Sequence, residues 1–349
     1  MIITQAYEFA LENEPIFCTR YGNGHINETY LLVDANARQY ILQKINQFVF
    51  KNPESLMRNI VDVTKHQSQK GISHREAMTL IPTKAGEGWL LDAEGEFWRV
   101  YEFINDSIFF ETTDSAEIFR ESALAFGNFQ RQLADFPAHT LSETIPRFHD
   151  TPNRYQNFRA AVLADSHGRV KEVQREIDFV LEREPFAGTL MDLLDKGDMP
   201  LRVTHNDTKL NNVLFDRRTH KALCVIDLDT VMPGLAVNDF GDSIRFGATT
   251  AAEDERDLSK VNFSLPLYEA YMDGFLHVCG DSLTACEIEH LPHGAKMMTL
   301  ECGMRFLADY LSGDIYFNIK REGQNLDRSR TQFKLVEGME ECWEKLFRK

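Results

Sequence analysis

The pattern of apolar residues changes once along this chain of 349 residues, and that change limits the folds open to it. Residues 17–34 predict two strands joined by a glycine-bearing turn, and residues 38–46 predict a third. A helix follows Pro53 and ends before Gly71, since proline opens helices and glycine closes them. Further strands follow, the last forming a hairpin in residues 88–104. The first hundred residues therefore predict a β-rich lobe with one helix.

After about residue 104 the apolar residues recur at helical spacing. Helices are predicted over the segments 116–136, 155–183, 253–279, 284–312 and 326–347. One strand-like stretch, 201–232, interrupts them. The prediction is an α+β, bilobal chain with a small antiparallel N-terminal lobe over 1–103, a hinge at about 101–106 and a larger, mainly helical lobe over 104–349. A site is expected between the lobes, where ligand pockets tend to form.

The charge of the chain argues against two classes of partner. Lys and Arg number 38 and Asp and Glu 54, which gives 38 − 54 = −16. Nucleic acid and anionic membrane surfaces both select basic proteins, so neither is an expected partner. The six cysteines form no C-x-x-C pair, which predicts neither a zinc site nor disulfides. No basic-then-apolar leader and no membrane-spanning run is visible, so a cytoplasmic protein is expected.

The segment "LRVTHNDTKLNNVLFDRRTHKALCVIDLDT" carries the strongest chemical signal. A strand-like approach delivers Asp207 in a loop, Asn212 follows five residues later, and a predicted hairpin then returns Asp227 to the same place. Phosphoryl transfer needs a carboxylate to orient the attacking hydroxyl and hard oxygen ligands for Mg²⁺. We therefore expect Asp207 to be the base and Asn212 with Asp227 to bind the metal. His205 is interpreted as a brace for the loop.

The triplet Asp239-Phe240-Gly241 is a literal match to a kinase metal motif but is interpreted as a coincidence. The residues before it, "MPGLAVN", predict a loop, so no strand directs Asp239 to the metal. Asp239 and Asp242 are expected to hydrogen-bond the backbone of the catalytic loop or to cap the helix that follows. Asp229 is left open between binding a second metal and facing solvent.

These motifs together resemble a known family. H-N-D-T-K-x-N-N followed by I-D-L-D is similar to the aminoglycoside phosphotransferase and choline kinase superfamily. Nine blocks between about residues 21 and 335 resemble more narrowly the bacterial N-acetylhexosamine 1-kinases, among them "YGNGHINETYLL", "WRVYEFI", "FHDTP" and "ECGMRFLADYLSGDIYF". The resemblance implies a protein-kinase-like fold and an enzyme of amino-sugar metabolism that uses ATP and Mg²⁺. Its reaction would phosphorylate the anomeric C1 hydroxyl of GlcNAc or GalNAc.

The resemblance also implies roles for individual residues. The glycine loop would cover the nucleotide phosphates, the hinge would bind adenine through its backbone, and three side chains would contact the sugar. The glycine loop is Gly22, Asn23 and Gly24, the hinge residues are Tyr101 and Phe103, and the sugar contacts are His25, Arg305 and Tyr316. Each has a plainer interpretation: a turn, a surface histidine, an Arg305–Asp309 pair one helical turn apart, and a packed tyrosine.

The third strand departs from the superfamily pattern. Where a lysine would contact the phosphates, "YILQKIN" has Gln43, with Lys44 next to it on the opposite face of the strand. Gln43 could bind a phosphate without supplying charge, whereas Lys44 would need a register shift or bulge.

Two alternative functions stay open at the level of sequence. One is another small-molecule kinase of the superfamily, acting on an aminoglycoside, choline or homoserine. The other is a nucleotide-binding protein without catalysis. The preference between GlcNAc and GalNAc, the oligomeric state and the extent of lobe closure have no signature in the residues.

Overall fold

The structure is a computed structural model that describes residues 2–22 and 26–347. The chain forms two compact units, each built from three separate segments. The sheet unit comprises residues 1–108, 135–146 and 214–233, and the helical unit comprises residues 109–134, 147–213 and 234–349. Asn23, Gly24 and His25, which the sequence predicts to bind ligands, lie outside the described residues.

The strands are short and most of them fall in the first hundred residues. They are β1 (Pro15–Arg20), β2 (Glu28–Asp34), β3 (Gln39–Lys44), β4 (Leu80–Ile81), β5 (Leu90–Leu91), β6 (Phe97–Glu102), β7 (Ser107–Ile108), β8 (Arg202–Thr204), β9 (Val213–Asp216), β10 (Ala222–Val225) and β11 (Met232–Gly234).

The helices dominate the rest of the chain. They are α1 (Pro53–Gln69), α2 (Ala116–Gln132), α3 (Thr151–Ala164), α4 (Gln174–Glu182), α5 (Thr189–Lys196), α6 (Ala236–Gly247), α7 (Leu265–Cys279), α8 (Ala285–Leu311), α9 (Gln324–Glu341) and α10 (Trp343–Leu346). No helix in the described part of the chain has the length and apolarity needed to cross a membrane.

The sheet unit contains an antiparallel sheet in the order β1-β2-β3-β6-β4, with β5 paired to β6. Alternate side chains of β2 and β3 are buried, as expected when one face of a sheet packs on a core, whereas four consecutive residues of β6, Trp98 to Tyr101, are buried. Leu32, Leu42 and Val100 are fully buried in that core together with Phe9. The predicted antiparallel N-terminal sheet is confirmed, including the β5–β6 hairpin around Gly95.

The hairpin predicted to precede Asp227 also forms. Strands β9 and β10 pair beside β7 in a second small sheet of the sheet unit, and Asp216 accepts backbone N–H groups in the turn between them. Asp227 comes two residues after β10 and has left-handed backbone dihedrals, φ 62° and ψ 63°. This conformation is rare for a residue other than glycine, although aspartate adopts it more readily than most.

The helical unit packs its helices around the long helix α8. Helix α8 starts with a capping box in which Thr284 and Glu287 satisfy each other's backbone N–H groups. Its inner face packs against α3, α4 and α9 in one apolar cluster that includes Phe158, Leu300 and Phe333. The mainly helical character predicted for this part of the chain is confirmed.

Three predicted helices have different bounds. The segment 155–183 is two helices, because Asp165 and Gly168 take left-handed backbone conformations between α3 and α4. The segment 253–279 is helical only from Leu265, which follows the Ser264 cap. The predicted helix over 326–347 divides into α9 and α10. The apolar spacing alone did not mark these breaks.

Helices α6 and α8 approach each other at a pair of glycines. A Cβ atom on Gly241 would lie 2.2 Å from the carbonyl oxygen of Gly294, and one on Gly294 would lie 2.0 Å from the carbonyl oxygen of Val237. Only glycine fits at either position, so the two helix backbones are in direct contact there.

Candidate active site

Asp207 lies in the loop that follows β8, between a lysine and an asparagine. Its Oδ1 is 2.8 Å from Nζ of Lys209. The amide nitrogen of Asn212 donates to Oδ2 of Asp207 at 3.1 Å and to the Asp207 carbonyl at 2.8 Å. The structure therefore brings together Asp207 and Asn212, which the sequence singled out, and adds Lys209. The Asp207 carboxylate raises the pKa of Lys209, so the lysine carries its full charge at neutral pH.

The backbone of this loop is held by the carboxylate of Asp239 in α6. His205 and Asn206 each donate a backbone N–H to Asp239, both at 2.8 Å. The amide of Gln130 donates to the same carboxylate at 3.0 Å. All these groups are buried, where an unpaired N–H is costly. Asp239 thus serves the loop backbone, as the sequence analysis expected.

Asp242 holds the next part of the same loop. It accepts the Thr208 N–H at 2.9 Å and forms a buried ion pair with Nε of Arg245, also at 2.9 Å. The expectation that Asp239 or Asp242 might cap a later helix is wrong. Helix α6 already starts at Ala236, so both residues lie inside it and three positions apart, on one face.

The two carboxylates have opposite pKa shifts. Burial raises the pKa of Asp239, although the hydrogen bonds from His205 and Asn206 oppose it. Burial would also raise the pKa of Asp242, but Arg245 and Lys209 outweigh it and the pKa is lowered. The cations beside Asp242 therefore favour its ionised form, whereas Asp239 has only neutral donors and the His205 ring near it.

His205 is a brace, as predicted. Its ring is fully buried and makes edge contacts with Phe126 and Phe129, with centroids at 5.5 and 5.8 Å. The Asp207 N–H donates to its Nδ1 at 3.3 Å. A side chain in these surroundings positions the loop and has no exposed face for a substrate.

In the sheet unit, the two aspartates of the I-D-L-D run have different surroundings. Asp229 is 4% exposed, so the expectation that it might face solvent is wrong. Its Oδ1 lies 2.5 Å from Nη1 of Arg99, and its Oδ2 accepts a hydrogen bond from Asn27. Asp227 is near enough to Arg99 to help raise the pKa of that guanidinium.

The register of β3 against β6 places Gln43 opposite Arg99 and Lys44 opposite Trp98. Both ends of the Gln43 amide are engaged: Nε2 donates to Thr29, and Oε1 accepts from Nε of Arg99. Lys44 pairs with Glu96 at 2.9 Å on the other face of the sheet. The register between β3 and β6 is continuous, so Arg99, and not Lys44, is the cation on the Gln43 face.

The segment predicted as a hinge continues from β6. Tyr101 is buried, and its ring lies beside the Arg99 guanidinium, 5.2 Å from its carbon. Phe103 makes an edge contact with Tyr21, next to Gly22, whose φ of 74° lies in the left-handed region. The N–H groups of Glu102 and Phe103 donate to carbonyl groups within the sheet unit.

The two described residues expected to contact the acceptor, Arg305 and Tyr316, lie together in the helical unit. The Arg305 guanidinium carbon is 5.9 Å from the centre of the Tyr316 ring and 5.3 Å from that of Phe148. The Tyr316 ring is 68% exposed, so it is not a packed core residue. Asp309 accepts the N–H groups of residues 315, 316 and 317. It therefore fixes the loop that carries Tyr316 instead of serving as a simple partner for Arg305.

A buried acidic group near Arg305 was missed by the sequence analysis. Glu301 is fully buried, and its oxygens contact Nδ1 of His149 at 2.9 Å and the Thr151 hydroxyl at 2.6 Å. Burial would raise the pKa of Glu301, but His149 and Arg305 outweigh it and lower that pKa. His149 and Thr151 belong to the "FHDTP" block, which was noted only as part of the resemblance.

The loop that carries Asp207 and Asn212 offers oxygen atoms, which are the ligands that a hard divalent cation selects. Since the Asn212 nitrogen serves Asp207, its amide oxygen is the atom left for a cation. Carboxylate and amide oxygens suit Mg²⁺, which usually takes one or two protein ligands together with substrate phosphates. Among the described residues, no group of three or more His, Cys, Asp or Glu side chains is arranged to hold a metal by itself.

Comparisons with known proteins agree with this chemistry. A family model described as "Phosphotransferase enzyme family" matches residues 18–272. An aminoglycoside phosphotransferase from Alicyclobacillus acidocaldarius has a similar structure, with a TM-score of 0.67 and 14% identity over 99% of this chain and 97% of that one. The kinase-like fold predicted from the sequence is confirmed.

Two further structures share the fold at similarly low sequence identity. A choline kinase from Cryptosporidium parvum has a TM-score of 0.57 and 14% identity, over 95% of this chain and 91% of that one. An amicoumacin kinase in complex with AMP-PNP, Ca²⁺ and Ami has a TM-score of 0.62 and 13% identity over the same shares of the two chains. At these identities the likeness concerns the fold and not the acceptor.

Proposed function

This chain belongs to the phosphotransferase enzyme family, and we propose that it is an ATP-dependent kinase that phosphorylates the C1 hydroxyl of N-acetylhexosamines. The observation that carries the phosphotransferase chemistry is the loop around Asp207. A carboxylate flanked by Lys209 and Asn212, on a backbone fixed by two buried aspartates, provides both proton acceptor and charge in one rigid place. The choice of a sugar rests on the nine sequence blocks.

We assign Asp207 to the acceptor hydroxyl. An anomeric hydroxyl is more acidic than an ordinary alcohol, so Asp207 needs to orient it more than to remove its proton. Lys209, held charged by Asp207, is placed to balance negative charge that develops on the transferred group. Rigid placement of this kind is the main contribution a protein makes to phosphoryl transfer.

We assign Asn212, through its amide oxygen, and Asp227 to the divalent cation that accompanies ATP. When bound, such a cation offsets the charge on the phosphates. The glycine loop that includes Gly22 and the segment Tyr101–Phe103 are assigned to the nucleotide. Gln43 is also assigned to the nucleotide, although its amide already bonds Thr29 and Arg99.

On the acceptor side we assign Arg305 and Tyr316, together with His25 from the resemblance. The Arg305 cation sits among three aromatic rings, an arrangement that presents both a charge and flat apolar surfaces. Sugars are bound by hydrogen bonds to their hydroxyls and by stacking of their apolar faces. The exposed Tyr316 ring beside Arg305 fits both requirements.

The test is ATP consumption with a panel of acceptors. GlcNAc and GalNAc should be phosphorylated, whereas glucosamine, choline, homoserine and an aminoglycoside should be poor acceptors. The product should release its phosphate in mild acid, as a sugar 1-phosphate does and a sugar 6-phosphate does not. Transfer to choline or an aminoglycoside alone would keep the kinase and reject the sugar.

Asp207→Asn tests the catalytic assignment. The variant keeps the shape of the side chain but loses the proton acceptor, so kcat should fall by at least about 100-fold while nucleotide affinity is unchanged. The control is Asp216→Asn in the turn between β9 and β10, where an asparagine oxygen can still accept the turn N–H groups. Full activity in Asp207→Asn would remove Asp207 as the base.

A further inference from the structure

Arg99 is a buried cation in the middle of the antiparallel sheet. It is 1% exposed and lies in β6 directly opposite Gln43 of β3. Thr29, Gln43 and Arg99 form a row across three strands, linked by hydrogen bonds of 3.0 and 2.9 Å. A guanidinium in such a place needs a compensating charge, because burying an unpaired ion is expensive.

The compensating charge is Asp229. Its carboxylate forms an ion pair with Arg99 through Oδ1 and accepts a hydrogen bond from Asn27 through Oδ2. Asn27 is itself fixed, since its amide oxygen accepts the Asn46 N–H at 2.9 Å. Asp229 therefore joins the start of β2, the middle of β6 and the turn after β10, three points of the sheet unit that are far apart in sequence.

The turn that Asp229 anchors also carries Asp227. Asp227 has a left-handed backbone, a conformation that persists in a residue other than glycine only where its surroundings impose it. Asn59 of α1 holds the far end of the turn, donating to the carbonyl of Val231 at 2.9 Å. The backbone around Asp227 is thus fixed by Asn59 of α1 and by the ion pair of Asp229.

We propose that Arg99, Asp229 and Asn27 form a positioning network, which holds Asp227 in the orientation that a divalent cation needs, and that Asp229 is not itself a ligand of that cation. The inference rests on the proposed function, since it concerns the cation that accompanies the nucleotide. Arg99, Asp229 and Asn27 are positioning residues and touch neither substrate.

The effect of removing the Arg99 charge distinguishes a positioning role of Asp229 from direct metal ligation by Asp229. Removing the Arg99 charge takes a positive group away from the neighbourhood of Asp227, which by charge alone would strengthen cation binding. If Asp229 were a ligand, Arg99→Met would also release it for the metal. A positioning network predicts the opposite sign, because the turn loses its anchor.

The experiment is a titration of Mn²⁺ into the full chain with ADP present, following free Mn²⁺ by electron paramagnetic resonance. Arg99→Met and Asp229→Asn should each weaken Mn²⁺ binding at least tenfold. The double variant should bind Mn²⁺ no more weakly than the single variant with the lower affinity, since both changes break one network. Lys44→Met is the matched control: it removes the cation next to Gln43 from the opposite face, where it pairs with Glu96, and should change the affinity less than twofold.

Two variants keep the test decisive if a single change unfolds the chain. The double variant leaves no lone charge in the core and should fold while still binding Mn²⁺ weakly. Asn27→Ala leaves the Arg99–Asp229 pair intact and should weaken Mn²⁺ binding severalfold. Circular dichroism and a thermal midpoint confirm the folded state of each variant.

The outcomes separate the two proposals. A folded Arg99→Met variant that binds Mn²⁺ as tightly as wild type, or more tightly, while Asp229→Asn binds it weakly, would make Asp229 a ligand and overturn the network, with the kinase unaffected. If wild type transfers phosphate and the variants at Arg99, Asp229 and Asn27 all bind Mn²⁺ as tightly as wild type, the network is likewise overturned and the kinase unaffected. A wild type that neither binds Mn²⁺ with ADP nor transfers phosphate would overturn the proposed function as well.

Discussion

Two aspartate-bearing segments of this chain are held in place by contrasting means. In the helical unit, the loop of residues 205–208 donates its backbone N–H groups to Asp239 and Asp242. In the sheet unit, the turn of residues 227–231 is held by side chains, with Asp229 bound to Arg99. In the first segment carboxylates from elsewhere are the anchors, whereas in the second the segment's own carboxylate is the anchor.

The difference explains why neighbouring aspartates have different roles. Asp207 does not have to hold its own loop, because α6 supplies the acceptors for the backbone. In the turn after β10, one of the two carboxylates is used for attachment, and Asn59 of α1 donates to the carbonyl of Val231. In both segments the aspartate assigned to the site thus relies on another acidic group, which comes from a neighbouring helix in the first and from the segment itself in the second.

The largest effect is expected where backbone groups lose their acceptor. Asp239→Ala leaves the buried N–H groups of His205 and Asn206 unpaired, which should lower the free energy of unfolding by about 4 kcal/mol, since each such group costs roughly 1–3 kcal/mol. Chemical denaturation measures the loss. Asp257→Ala, which removes an acceptor in an exposed turn, should cost less than about 1 kcal/mol. Equal losses in the two variants would show that Asp239 does not anchor the catalytic loop.

A smaller effect with a distinct pH dependence is expected at Asp242. The Asp242→Asn variant still accepts the Thr208 N–H but leaves Arg245 without its closest carboxylate, at a cost of about 3 kcal/mol at pH 7. Because the folded pKa of Asp242 is lowered, its stabilisation is complete above its ordinary pKa and is lost as pH falls through the folded value.

Thermal midpoints of wild type and Asp242→Asn between pH 7 and pH 3 test that sign. The gap between the two proteins should narrow towards acid pH, since the wild type loses its ion pair there. A gap that stays constant to pH 3, or widens, would show that the charge of Asp242 does not stabilise the fold.

The smallest of these effects is expected in the turn of the sheet unit. Asn59→Ala removes the amide that bonds Val231 and both backbone groups of Ser142, and should cost about 2 kcal/mol. Lys65→Ala, at an exposed position of the same helix α1, should stay within about 0.5 kcal/mol of wild type. If Asn59→Ala costs more than Asp239→Ala, the turn depends on a side chain from a neighbouring helix as much as the catalytic loop does.

The parts of the site that the sequence predicted are those built from neighbours in sequence. Asp207 and Asn212 are five residues apart, and the spacing alone placed them in one loop. The β9–β10 hairpin was readable from two apolar runs around a polar turn. The long helices were predictable for the same reason, since their hydrogen bonds and apolar stripes are local, and so were strands β1 to β3, which pair with their neighbours in sequence.

The parts that the sequence did not predict depend on distant partners. Arg99 stands alone in an apolar strand, and its partner Asp229 follows 130 residues later, so no spacing marks the pair. The start of helix α6 was not predicted, because the proline and glycine of "MPGLAVN" predict a loop. The position of Asp239 inside that helix was therefore not predicted either. Glu301 and His149 are likewise 152 residues apart.

The contact between Gly241 and Gly294 has a consequence for how this enzyme can change. Neither glycine bears a functional group, yet the backbone crossing they allow fixes α6, with Asp239 and Asp242, against the helix that carries Glu301 and Arg305. A single added methyl group would act as a wedge and shift both sets of side chains together. The crossing itself therefore tolerates no larger residue.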